Sequence, residues 1–292
     1  MNALDYLETL ESVGAVRDQL FEAKRIKLHT GMEGFDSPDA YGIYKSTGGE
    51  ALGVVGSRYE PVDLHLLYDS ILQNATCCNT LRIEDMMFRE LFGGRKVEFV
   101  IPAQRFEVDS PMVGDVIESR LIIRTGFDGL TKTTMNFETY RIWCSNGCAS
   151  WMKDESVALK NTRGNNLKGK VYHMADKMIK IIDNIDTYKE KLNEAVNTPI
   201  TQKQIDEFLL SIIGKTGEDL EELSTKSRNM IDAINESVAI EAQNTGWNAY
   251  SLLQGVTRYT SHDVLEGDLS TVAFNKAGRM NKKAQEFVFA MS

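Results

Sequence analysis

The hydrophobic period of this sequence changes once, and that change limits what the chain can become. Between about residue 50 and residue 144, short runs rich in branched and aromatic side chains (ALGVVGSRY, KVEFVI, DVIESRLIIRT, TKTTMNFETYRIW) are separated by Gly, Pro and Asp. Such residues suit a pleated, half-buried strand whose side chains alternate between faces. After residue 171 the apolar residues recur every three to four positions, the period of an amphipathic helix. Strands first and helices second predict an α+β fold rather than an alternating α/β one. The expected architecture is an N-terminal mixed or antiparallel sheet domain with a long hairpin and packed helices, followed by an all-helical C-terminal region. Its divisions are 1–48 (helix and loop), 49–152 (sheet domain), 153–170 (basic loop) and 171–292 (helical region).

Local signals refine this outline. Leu4, Leu7, Val13, Val16 and Leu20 predict a helix over 4–28, and Gly31, Gly34, Pro38 and Gly42 predict a loop after it. Helical stretches are expected near 62–73 and 83–91. In the C-terminal region, Val171 to Val196 read as a long helix. Thr201 and Gln204 then resemble a capping box, and Gly214 suits a helix stop. Further helices are expected at about 218–242 and 246–261. Gly48, Gly49, Gly53 and Gly56 read as a turn leading into a strand, because no helix opens from them.

Residues 115–144 form the clearest strand pair. Ile117, Leu121 and Ile123 share odd positions with Met135, Phe137 and Trp143, so one apolar face requires even residues to oppose even ones across an odd-length loop at Phe127-Asp128-Gly129. The opposite face then carries Arg120, Arg124, Lys132, Asn136 and Tyr140. It suits either solvent or nucleic acid, and Glu118 and Glu138 on it count against the latter.

Charge is unevenly spread. The net charge of −9 argues against a polyanionic partner at long range. Residues 1–140 hold 14 basic and 22 acidic side chains, 193–292 hold 9 and 14, but 141–192 hold 10 and 6. Lys153, Lys160, Arg163, Lys168, Lys170, Lys177 and Lys180 fall in that middle segment, and Asp176 is the only acid from 160 to 180. A flexible loop of this kind presents cations to phosphates. Trp143, Trp151 and Tyr172 lie close in sequence, where they can stack on unpaired bases or belong to the core.

An enzyme finds little support. His29, His65, His173 and His262 are scattered, and neither a phosphate-binding loop nor a GxSxG nucleophile elbow is present. Cys77, Cys78, Cys144 and Cys148 read as buried free thiols rather than zinc ligands, because adjacent cysteines chelate one ion poorly. No cofactor is implied. The vicinal Cys77-Cys78 pair suits a reducing compartment, so a cytoplasmic location is expected. No stretch is long and apolar enough for a membrane-spanning helix.

Two stretches carry a family resemblance. Gly49 to Val62 ends a strand in Arg58-Tyr59 with a short hydrophobic continuation. Thr245 to His262 places Trp247, Tyr250, Val256, Thr257, Tyr259 and His262 along one helix. Asp128-Gly129 and Arg141 to Asn146 add a hairpin turn and a Cys-x-Asn strand end. Together they resemble the phage/plasmid-like proteins grouped as domain of unknown function 932. The resemblance implies a gene of a phage, prophage or plasmid, acting in the host cytoplasm, and brings no catalytic residues. Gln254-Gly255 stands where it implies Asn-Ala, a departure expected to loosen the helix. Most of Trp247, Tyr250, Val256 and Tyr259 are expected in the core, with His262 and Asp263 capping the helix end.

Two functions follow as expectations. One is a homo-oligomeric protein that binds single-stranded DNA and assists annealing or recombination, using the basic segment with Arg120, Arg124, Lys132, Tyr140 and Trp151. The other is an acidic protein-binding module that inhibits or modulates a host defence complex. A nuclease with clustered carboxylates is a third class, but no motif selects its residues.

Overall fold

A computed structural model of the chain describes residues 12–29, 36–75, 80–109, 115–141, 150–151, 157–163, 168–173, 185–217, 220–260 and 276–291. The chain divides into two units. The first takes Met1–Gln104, Arg120–Phe137 and Met152–Asp183, and the second takes Arg105–Ser119, Glu138–Trp151 and Asn184–Ser292. The N-terminal strands are sorted into antiparallel sheets and the C-terminal part is helical, so the α+β class holds.

The first unit begins with helix α1 (12–18) and a three-stranded antiparallel sheet in the order β1 (Ala23–His29), β2 (Asp36–Lys45), β3 (Ala51–Gly56). This corrects the N-terminal reading: the helix ends at residue 18, and the expected loop contains β2. Pro38 and Gly42 looked like breakers. Gly42 is instead a strand residue paired with Ile26 and Val54, and the Tyr44 ring occupies the space a Cβ would need. Gly48 and Gly49 form the β2–β3 turn at positive φ.

A second sheet has the order β4 (Met87–Leu91), β5 (Lys96–Val108), β6 (Asp115–Gly126), β7 (Thr133–Arg141), β8 (Ser150–Trp151), with β9 (Val157–Leu159) also paired to β7. Helix α2 (Leu64–Ala75) turns Leu64, Leu67, Tyr68 and Ile71 inward at helical spacing, and the Tyr68 and Phe88 rings pack on Phe99 at 6.4 and 5.1 Å. The helix expected at 83–91 is a short 3-10 turn (Ile83–Asp85) followed by β4. Strand pairing wins there, because Phe88 opposes Phe99 and Arg89 opposes Glu98. Among the described residues, 168–173 form a further helix, α3.

The second unit holds α4 (Ile185–Asn197), α5 (Gln202–Ile213), α6 (Thr225–Thr245), α7 (Ala249–Arg258) and α8 (Lys276–Met291). Thr201 and Gln204 make the capping box, and Gly214 closes α5 in the left-handed conformation. Ser224 and Asn248 cap α6 and α7. Tyr188 meets Phe106 and Phe289 edge-on, and Phe208 meets Phe287. Tyr250 is fully buried and donates its hydroxyl to Asp115 Oδ2 at 3.0 Å. Val256 is buried as well, whereas Trp247 is 52% exposed, because it precedes the α7 cap instead of sitting on the helix. Gly255 lets α6 and α7 pack backbone to backbone: a Cβ there would lie 2.6 Å from Val238 Cα and 2.7 Å from its N. His262, Asp263 and the four cysteines lie outside the described residues. No helix among the described residues is long and apolar enough to cross a membrane.

Candidate nucleic-acid interface

The candidate site is built on a backbone crossing within the first unit. After β9, Thr162 forms an antiparallel bridge with Tyr59. Arg163 N donates to Arg58 O at 2.6 Å, and Glu60 N donates to Asn161 O at 3.2 Å. Within the basic loop expected at 153–170, residues 157–159 are strand, Thr162 is a bridge, and 168–170 are helical. Asn161 locks the crossing from inside. Its Oδ1 accepts from Thr133 Oγ1 at 2.7 Å, while its Nδ2 donates to Thr125 Oγ1 and Gly126 O at 3.3 Å each. Tyr59 donates its hydroxyl to Gly126 O at 2.6 Å, and burial raises its pKa well above the ordinary phenol value.

Neighbouring contacts set the direction of the remaining segments. Arg25 lies over the Tyr41 ring and donates Nη2 to Ser57 O at 2.7 Å, holding the turn that leads into Arg58. Gly53 lets β3 approach the β6–β7 loop: a Cβ there would meet Phe127 O at 2.7 Å and Asp128 Cα at 2.9 Å. Only glycine fits that approach.

The result is an open cleft of about 860 Å³ lined by Arg58, Lys132, Lys160 and Arg163, with Asp39 the only carboxylate among its described lining residues. All four cations are exposed, and none has a side-chain hydrogen bond or ion pair among the described residues. Thr162 and Arg163 also line a second cleft of about 540 Å³, whose lining includes Lys168 together with Glu22, Glu60 and Asp63. Asp63 there accepts from the backbone N–H groups of His65 and Leu66 at the start of α2. Its three carboxylates make the second cleft the poorer place for a phosphate.

The structure thus brings Lys132, Lys160 and Arg163 together, with Lys168 at the adjoining cleft. Lys170 is exposed on α3 and lines neither cleft. Arg58 had no role in the charge argument; its one sequence signal was the Arg58-Tyr59 strand end.

Arg124 is corrected. It is 2% exposed and donates Nε to Glu98 Oε2 at 2.9 Å, so it presents no charge to a ligand. The hairpin face assigned to it is closed: Glu118, Asn136 and Glu138 are buried too, and Glu118 accepts from Arg105 Nε at 2.8 Å. The expected parity survives, since the odd-position hydroxyls of Thr125 and Thr133 meet at 2.7 Å, but six residues separate the strands. Arg120 is half-buried, already engaged, and lines neither cleft. Lys153, Lys177 and Lys180, and the side chains of Tyr140 and Trp151, lie outside the described residues.

Residues 51–286 match the model of a family described as a domain of unknown function, DUF932. The chain belongs to DUF932. Every described lining residue of the larger cleft except Asp39 falls inside the DUF932 match, whereas β1 and β2 precede it. No curated protein and no solved structure matches the chain.

Proposed function

We propose that this DUF932 chain binds single-stranded DNA through Arg58, Lys132, Lys160 and Arg163, and that it serves annealing or recombination. The reading rests on one observation: four exposed cations from three separate segments, unpaired among the described residues, surround one concavity. Each cation brought onto a phosphate releases condensed counterions, so affinity is highest at low salt. A duplex is read by elements that project into its grooves, whereas a concave basic groove tracks one strand. The acidic total does not oppose this, because exposed charges act only weakly beyond a Debye length of about 8 Å at physiological salt.

Annealing brings two strands together, so the reading carries self-association with it. Repeated clefts multiply weak contacts. Fluorescence polarisation with labelled single- and double-stranded oligonucleotides at about 50 and about 200 mM salt tests the reading. Salt-sensitive binding that favours the single strand supports it. Absence of binding at the lower salt sinks it, and turns attention to a protein partner of the acidic N-terminal region, sought by pull-down from host lysate.

A further inference from the structure

The cleft holds cations but no exposed aromatic among its described lining residues: Tyr59 is buried and its hydroxyl is engaged by Gly126. Base stacking on an aromatic ring is therefore not offered by that lining. What the lining does offer is Leu130, 89% exposed in the β6–β7 loop, two residues before Lys132.

A large apolar side chain this exposed is informative when its backbone is held in place. Asp128 Oδ1 accepts from Leu130 N at 2.9 Å and from Thr131 N at 2.8 Å, and Oδ2 accepts from Thr131 Oγ1 at 2.9 Å. Gly129 takes φ +76, the left-handed value such a turn needs. Below the tip, Phe127 is fully buried against Phe21 at 5.4 Å, and its N–H donates to Arg95 O at 2.8 Å. The loop is anchored at its base and internally bonded at its turn, and it holds Leu130 outward at the rim of the basic cleft.

Leucine is among the apolar residues that nucleic-acid-binding proteins insert between bases. We propose that Leu130 is a base-contacting wedge: with phosphates on Arg58, Lys132, Lys160 and Arg163, it packs against a nucleobase. The ligand class is then a strand with bases, not any polyanion. This rests on the single-strand reading of the same cleft.

The test uses the full chain and two fluorescent strands of equal length, oligo-dT and a fully abasic deoxyribose-phosphate strand, titrated by polarisation at low salt. Wild type should bind oligo-dT about tenfold more tightly than the abasic strand. Leu130→Ala should erase that preference while leaving abasic binding unchanged, and Leu130→Met should retain most of it. Because Leu130 is almost fully exposed, its removal leaves the melting temperature unchanged, which circular dichroism checks. Equal wild-type affinity for both strands, or a preference that survives in Leu130→Ala, overturns the wedge and leaves the cationic cleft standing. If wild type binds neither strand, the cleft reading fails and the wedge with it.

Discussion

Arg124 and Glu98 form a buried ion pair, Nε to Oε2 at 2.9 Å, with Arg89 reaching the other carboxylate oxygen of Glu98 at 3.5 Å. Breaking such a pair leaves a charge in a low-dielectric interior, whereas replacing both partners with apolar groups is nearly neutral. Arg124→Ala should cost about 3 kcal/mol in chemical denaturation. Arg124→Met combined with Glu98→Leu should recover most of the loss. Oligonucleotide affinity of the folded double variant should equal wild type. A selective loss of binding would return Arg124 to the interface.

Gly255→Ala offers a test of the α6–α7 contact. Alanine improves helix propensity by about 1 kcal/mol, yet its Cβ has no room beside Val238. The steric term should win, with a net destabilisation of about 1–3 kcal/mol. A variant as stable as wild type would show that the two helices separate at little cost.

Tyr59 gives the account a pH dependence. Burial raises its folded-state pKa above the unfolded value of about 10. Its contribution is complete below that unfolded value and is lost as pH rises toward the folded one, because only the unfolded chain deprotonates. Tyr59→Phe should cost about 1 kcal/mol at neutral pH, since Gly126 O keeps Asn161 as a donor. Above pH 10 the variant's stability should fall less steeply than that of wild type. Parallel slopes in urea melts between pH 9 and about 11 would contradict the assignment.

Asn161 couples stability to binding. Asn161→Ala strips the acceptor from Thr133 and one donor from Gly126, so a loss of about 1–3 kcal/mol is expected. The same change frees the segment that presents Lys160 and Arg163. Oligonucleotide affinity of the still-folded protein should therefore fall, even though Asn161 offers a ligand no charge.

Period and caps made the class and most C-terminal helices legible. Thr201 with Gln204, and Gly214, are local signals that act within one turn. Misreadings arose where a distant residue decides the outcome. Pro38 and Gly42 argue for a loop until β1 and β3 flank β2 and Tyr44 covers the glycine. Arg124 alternates onto the same face as Lys132, but Glu98, 26 positions away on β5, neutralises and buries it. Part of the site was legible as a basic segment. Arg58 was not, because its place beside Arg163 depends on an isolated bridge between segments about a hundred residues apart in sequence.

The most direct measurement is the slope of log affinity against log salt for a single-stranded oligonucleotide, in wild type and in the Arg58→Ala, Lys132→Ala, Lys160→Ala, Arg163→Ala variant. Each phosphate contact contributes about 0.7 to the slope on a single strand. The variant's slope should be shallower by nearly 3, with most of the low-salt affinity gone. A wild type that does not bind at low salt, or a variant that keeps the wild-type slope, would contradict the account.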